Sequence, residues 1–294
     1  MLRTYIFLVF CVLFWSGNFI VGRYIHESIS PIELSFYRWG GVLLFVLPLL
    51  ILSREKIWAA LKSHFWILFA LGGFGIAGFN TLLYIGLRHT TATNALIINS
   101  SIPILILLLS SLILKQHISK KRVLGILLST LGVLYLILKG KLSNLYSLDF
   151  NIGDFWVLLS SLDWALYSVL LKFKPKHISI GDFFITTVFI GTLILLPFYL
   201  YSSALNFSKE YHVISVNFLA ILYVIIFPSF LSYFFWNKAI LQIGAPKVGQ
   251  FIHLMPIFGA VLAYIFLGEH LKIYHVVGMA LIGGGIYISL TKYR

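Results

Sequence analysis

Ten stretches of this chain stay apolar for close to a membrane's thickness. They are Thr4–Gly22, Pro31–Leu52, Trp66–Leu87, Thr93–Leu114, Val123–Leu138, Asp154–Leu171, Gly181–Tyr201, Val216–Trp236, Ala245–Leu267 and Ile273–Thr291. At 1.5 Å per residue, about 20 helical residues cross roughly 30 Å of hydrocarbon. The runs are continuous, not alternating in ten-residue pieces, which excludes a transmembrane β-barrel. Charged residues make up 11% of the chain and hydrophobic ones 60%, against roughly 25% charge in a soluble domain. So few charges cannot cover a water-soluble globule. An ordinary cytosolic enzyme, a secreted disulfide scaffold and a disordered chain are excluded together. Cys11 is the only cysteine, so an internal disulfide and a cysteine-based zinc site are excluded as well.

The formal charge is +13. In a membrane chain the positive-inside rule and anionic lipid account for such an excess, without nucleic acid as a partner. Of the 22 basic residues, fifteen fall on the side of the N-terminus and six on the other, with Arg38 inside a span. Both termini are therefore expected in the cytoplasm of a multi-pass protein of the inner (plasma) membrane. Arg3 is the only basic residue before the first run and no small-x-small site ends it, so a retained helix is expected rather than a signal peptide.

The two halves echo each other. At an offset of 149, Trp15 falls on Trp164, Ile29 on Ile178, Ser30 on Ser179, Glu33 on Asp182 and Pro48 on Pro197. Further on the offset is 153: Ala92 falls on Ala245, Pro103 on Pro256, His117 on His270, Gly125 on Gly278 and Gly132 on Gly285. Five spans per unit is odd, so the second copy must cross in the opposite sense. The expected fold is an all-α integral membrane protein with ten transmembrane helices, arranged as two inverted five-helix repeats, residues 1–145 and 146–294. Inverted repeats recur in alternating-access carriers.

These residues also carry a family resemblance. Phe14-Trp15-Ser16-Gly17-Asn18-Phe19, Ser30-Pro31 and Arg38-Trp39 resemble the start of the EamA family of the drug/metabolite transporter superfamily. Ala92-Thr93-Asn94-Ala95 with Pro103, Trp164-Ala165-Leu166-Tyr167, Gly244-Ala245 with Pro256, and Gly268-Glu269-His270-Leu271 are similar too. The resemblance implies a ten-helix carrier of amino acids, other small metabolites or drugs. Two places depart from the family pattern: Lys115-Gln116 replaces a Gly-Glu pair, and Asp163 stands where a small residue is usual.

Polar groups inside hydrocarbon each require an explanation. Asp163 lies near the middle of the sixth span, where a carboxylate costs roughly 2.5–3.5 kcal/mol on insertion scales. It is expected to face a wet cavity or a partner, sharing a helix face with Tyr167. Arg38 either binds a substrate carboxylate or snorkels to the interface and ties helices together, the second being favoured. Glu33 and Asp182 open helices in the two halves and read as caps. The candidate substrate-binding set is Trp15, Asn18, Asn80, Tyr84, Asn99, Asp163, Trp164, Tyr167, Tyr233, Gln250 and His253. Several of these flank Pro103 or Pro256, where helices bend near the midplane. Rings and amides together suit a small amphipathic solute. Asp163 and His253 are the proton-coupling candidates.

No catalytic constellation, metal site or cofactor motif occurs. The leading expectation is a secondary carrier exporting amino acids or related small metabolites, with membrane lipids around it. The alternatives are a lipid-carrier flippase or an integral-membrane lipid-modifying enzyme. Oligomeric state is not legible in the sequence.

Overall fold

The computed structural model describes residues 2–25, 28–147, 149, 151–204, 206–267, 270 and 272–291. Gly268, Glu269 and Leu271 of the motif quoted above lie outside these. Among the described residues the regular structure is wholly helical. The chain runs α1 (Leu2–Ile25), α2 (Pro31–Leu52), α3 (Arg54–Leu71), a π-helical segment Gly72–Gly78, α4 (Phe79–Leu87), α5 (Ala92–Asn99), α6 (Ile102–Leu114) and α7 (Lys120–Ile137). It continues with α8 (Ile152–Leu170), α9 (Ile180–Ser203), α10 (Phe207–Val216), α11 (Phe218–Val224), a second π-helical segment Ile225–Leu231 and α12 (Ser232–Ile243). Last come α13 (Ala245–Gly249), a 3₁₀ segment Gln250–Leu254, α14 (Met255–Leu267) and α15 (Ile273–Leu290).

Seven helical stretches among the described residues are long and apolar enough to span a bilayer: Pro31–Leu52, Arg54–Leu87, Asn94–Leu114, Ile152–Phe173, Ile180–Ser203, Phe218–Ile243 and Ile273–Leu290. Leu2–Asn18 is a shorter apolar helix. Two of the ten expected runs differ for visible reasons. α7 opens on Lys120, Lys121 and Arg122, which dilute its apolar length. The run Ala245–Leu267 is broken by the 3₁₀ segment ahead of Pro256, whose nitrogen has no hydrogen to donate. Boundaries shift as well. The expected start at Trp66 becomes Arg54, because helix continues back through a kink at His64 (φ −138°, ψ 35°). The expected span from Val216 starts at Phe218, since α10 forms a separate helix before it.

The expected caps are present. Ser30 and Glu33 form a capping box on α2, and the Ser179 hydroxyl accepts the Asp182 amide on α9. Asn151 and Asp154 box the start of α8, where Asp154 also takes the Thr90 hydroxyl. Each satisfies amides that a helix start leaves unpaired.

Positions matched at the two offsets meet in space. α7 and α15 pack along glycines: a Cβ on Gly125 would lie 2.5 Å from the Gly285 carbonyl oxygen, and one on Gly278 3.2 Å from that of Gly132. Ascending residues of one helix meet descending residues of the other, so the pair is antiparallel. Each contact maps onto the other when matched positions are exchanged, as in an isologous interface. α2 and α9 are antiparallel too. At one end the Ser30 hydroxyl lies 3.1 Å from that of Ser202, and Lys209 pairs with Glu33 at 3.3 Å. At the other end Ser53 and Ser179 are hydrogen-bonding neighbours of the Asp182 carboxylate, and Lys56 is the cation acting on it. These are the same positions after exchange, at offsets of 149 for the serines and carboxylates and 153 for the lysines.

The glycine seam gives a direct check. Gly125→Val has no room, and overpacking of this kind costs about 1–3 kcal/mol. A lower thermal midpoint in detergent is expected. Gly283→Ala and Gly284→Ala, which meet nothing within 4 Å, should melt like the unaltered protein.

Candidate functional site

Four helix breaks lie around the middle of the fold: the two π-helical segments, the Ser100–Ser101 turn between α5 and α6, and the 3₁₀ segment before α14. A break frees backbone carbonyls, and inside hydrocarbon each must find a donor. Gly75, in the first π segment, accepts from the Tyr233 hydroxyl at 2.8 Å. Pro228, its match in the second, accepts from Trp15 Nε1 at 2.9 Å and from Arg38 Nη2 at 3.1 Å. The Ser100 carbonyl accepts from His253 Nε2 at 3.0 Å.

Between these breaks is a small cavity of about 30 Å³ lined by Trp15, Asn18, Arg38, Phe79, Asn80, Leu83, Asn99, Ile102, Trp164, Ile252 and Met255. Trp15 and Trp164, matched positions, meet edge to face with centroids 5.1 Å apart. Asn80 Nδ2 donates to the hydroxyl of Tyr233, its own match, at 3.0 Å. Ser100 and His253 are a third matched pair in contact. In each of these three pairs a residue touches the position matched to it, and the cavity lies beside these contacts.

Five of the eleven expected site residues line the cavity: Trp15, Asn18, Asn80, Asn99 and Trp164. Tyr84, Tyr167 and Tyr233 stand behind them. Tyr84 accepts from Arg38 Nη1 at 3.2 Å and donates to Asn18 Oδ1 at 3.3 Å. Tyr167 donates to Asn237 Oδ1 at 2.8 Å and packs against Gly75, while its ring lies 5.3 Å from that of Trp164. The remaining three stand apart from this cavity. Gln250 donates to the Pro246 carbonyl at 3.0 Å, within its own turn. His253 is held between Ser100 and the Ser129 hydroxyl (Nδ1, 2.7 Å) and faces a smaller neighbouring space of about 10 Å³. Asn99, Ile252 and Met255 are shared by both spaces. Asp163 does not line the central cavity. It is half-buried, sits against Gly78 of the π segment, and has no hydrogen bond or ion pair with any described residue.

Arg38 does not snorkel. It is 1% exposed and turns inward to the cavity. Nothing in the sequence marks Phe79, Leu83, Ile102, Ile252 or Met255 as lining residues, because an apolar side chain in an apolar span carries no distinguishing sign. Proximity to Pro103 and Pro256 is the signal that points nearest. Among the described residues no group of three or more histidine, cysteine or acidic side chains is placed to hold a metal.

Tyr233→Phe removes the donor to Gly75 and the acceptor of Asn80. Stranding buried polar groups costs about 1–3 kcal/mol, so a clear fall in the detergent melting midpoint is expected. The exposed Tyr264 replaced by Phe should leave it unchanged.

The sequence profile of the EamA-like transporter family matches residues 2–138 and again 151–291. An uncharacterized transporter of Bacillus subtilis (strain 168), YyaM, is 30% identical, with 100% of this chain and 97% of that protein aligned. A second one from the same organism, YetK, is 28% identical over 99% of this chain and 88% of that protein. A solved structure titled only as a crystal structure of a protein matches the fold with a TM-score of 0.69 at 16% identity, over 98% of this chain and 96% of that one. With two profile matches spanning nearly all of its length and these relatives aligned end to end, the chain belongs to the EamA-like transporter family.

Proposed function

We propose that this transporter is a secondary carrier of ten spans, two inverted five-helix repeats (residues 1–145 and 146–294), that exports amino acids or related small metabolites by alternating access. It resides in the inner (plasma) membrane with both termini cytoplasmic. The observation that carries the reading is the cavity beside the matched pairs Trp15/Trp164, Asn80/Tyr233 and Ser100/His253. A binding space between two exchangeable halves can open to either side as the halves trade shapes. Its lining of two tryptophans, three asparagines and aliphatic side chains suits a small amphipathic solute.

The two ends of the α2/α9 pair support the same reading. The outer end is latched: Glu33 is 2% exposed and paired with Lys209, and Tyr37 and Tyr199 both donate to Glu210 beside it. At the matched inner end Asp182 is half-exposed, and Lys56 acts on it without closing an ion pair. This arrangement is closed outward and looser inward, one of two states that the exchange of matched positions relates. Of the two proton-coupling candidates, Asp163 is the one without a partner among the described residues, and it packs on a π segment that repacking of the halves must move. His253 has both ring nitrogens engaged and acts as a hinge contact between α5, α7 and the 3₁₀ segment.

Counterflow in proteoliposomes loaded with amino acids and related metabolites tests the carrier. Saturable exchange stimulated from the far side is expected; its absence across neutral, cationic and anionic solutes would overturn the reading. Cys11 is buried, so introduced thiols can be labelled against a low background. Lys209→Ala should raise outside labelling of Leu83→Cys by roughly two- to five-fold, the population change that ~0.5–1 kcal/mol of latch energy produces. Asp163→Asn should insert and fold normally yet flatten the pH dependence of exchange.

A further inference from the structure

We infer that Arg38 is the anion-recognition residue of the central cavity, and that the carried solute presents a carboxylate to it on a compact apolar body. The inference rests on the carrier reading above and narrows its substrate class.

Arg38 projects from α2 into the cavity and is 1% exposed. A guanidinium offers five N–H donors and does not shed its proton inside a protein. One donor goes from Nη1 to the Tyr84 hydroxyl and one from Nη2 to the Pro228 carbonyl. Nε is wholly buried and has no hydrogen-bond partner among the described residues. The group is held over the rings of Trp39 and Tyr233, at 5.2 and 5.9 Å, contacts that orient the plane without neutralising it. No described carboxylate pairs with it. Glu33, the acid on the same helix, is spent on its cap and on Lys209. The other polar groups of the lining are the neutral amides of Asn18, Asn80 and Asn99. The cavity therefore holds one buried positive charge with nothing built to balance it, an arrangement too costly to keep for structure alone.

A purely structural role predicts two things that are not found. The first is a counterpart in the other half. The position matched at 149 is Thr187, whose hydroxyl donates to the Phe184 carbonyl of its own helix, so the symmetric frame holds there without a charge. The second is that the Pro228 carbonyl should need Arg38, yet Trp15 Nε1 already serves it at 2.9 Å.

The unspent groups describe the missing partner. Asn18 Oδ1 accepts from Tyr84 and Asn99 Oδ1 accepts from Ser161, which leaves both Nδ2 groups as free donors toward the same cavity as Arg38. Asn80 donates to Tyr233 and keeps its Oδ1. One cation with amide donors fits a carboxylate, whose two oxygens match the planar fork of arginine. One free amide oxygen is left for a hydroxyl or an amine of the solute. Trp15, Phe79, Leu83, Trp164 and Met255 make the rest of the wall apolar. A solute of net positive charge has no acid to meet.

Matched acid–amide pairs test this on the unaltered protein. Phenylacetate with phenylacetamide, and 4-methylvalerate with 4-methylvaleramide, differ in one charged group and little else. The acids are expected to raise the detergent melting midpoint and to support counterflow, at apparent affinities at least tenfold tighter than the amides. L-Leucine, which adds an amine, is expected to behave as the acids do. Arg38→Gln should weaken the acids at least tenfold, with part of the loss recovered in Arg38→Lys. Amides matching acids within threefold, or acids unaffected by Arg38→Gln in folded protein, would overturn the inference while the carrier stands. Exchange confined to solutes that lack a carboxylate would do the same. Should Arg38→Gln fail to fold, the acid–amide comparison decides by itself. If no solute of any charge is exchanged or shifts the melting midpoint, the carrier reading falls, and this inference with it.

Discussion

A backbone carbonyl freed at mid-depth in a bilayer has no water to take its place in a hydrogen bond. The centre of this fold is organised by that constraint. Gly75, Pro228 and Ser100 each present a carbonyl at a helix break, and each is met by a side chain from a distant part of the chain: Tyr233, Trp15 with Arg38, and His253. These bonds tie α12 to the first π segment, α1 and α2 to the second, and the 3₁₀ segment to the α5–α6 turn. The donors are large and mostly aromatic, so the helices they join cannot close fully. The cavity is the space they leave, with Trp15, Trp164 and Arg38 as its walls.

Much of this frame is legible in the sequence, for a physical reason. A polar or aromatic residue in an apolar run stands out, and Trp15, Asn18, Asn80, Asn99 and Trp164 stand out on that ground and line the cavity. Offsets of 149 and 153 between sparse residue types also anticipate which helices meet, as the Gly125–Gly285 and Gly132–Gly278 contacts illustrate. Spacing fails at the breaks. Gln250 and His253, three apart, are stacked on one face by the 3₁₀ segment as well, yet Gln250 turns back to the Pro246 carbonyl of its own turn and His253 reaches Ser100 and Ser129. Asp163 and Tyr167 do share a face, and that face abuts the first π segment at Gly78 and Gly75 rather than the cavity. Arg38 is conspicuous in the sequence, but its direction is not: its depth in the span suggests an escape to the interface, whereas the Pro228 carbonyl and the Tyr84 hydroxyl draw it inward.

The same matched positions carry different strengths at the two ends of the molecule. Glu33 and Asp182 cap equivalent helices and face equivalent serines, yet Glu33 is buried in an ion pair and Asp182 is half-exposed. In the proposed alternating access these ends would be latches on opposite sides, and the ion pair and hydrogen bonds that break at one would have equivalents that form at the other.

Matched positions that touch beside the cavity are of two kinds. Where the two side chains are identical they must tolerate self-contact. Two tryptophans do so edge to face. Elsewhere the halves have diverged into complementary pairs, Asn80 donating to Tyr233 and His253 to the carbonyl of Ser100. Arg38 is matched by Thr187, and it is the one charged side chain of the cavity's lining. In the proposed carrier, one cation supplied by one half would orient a single solute.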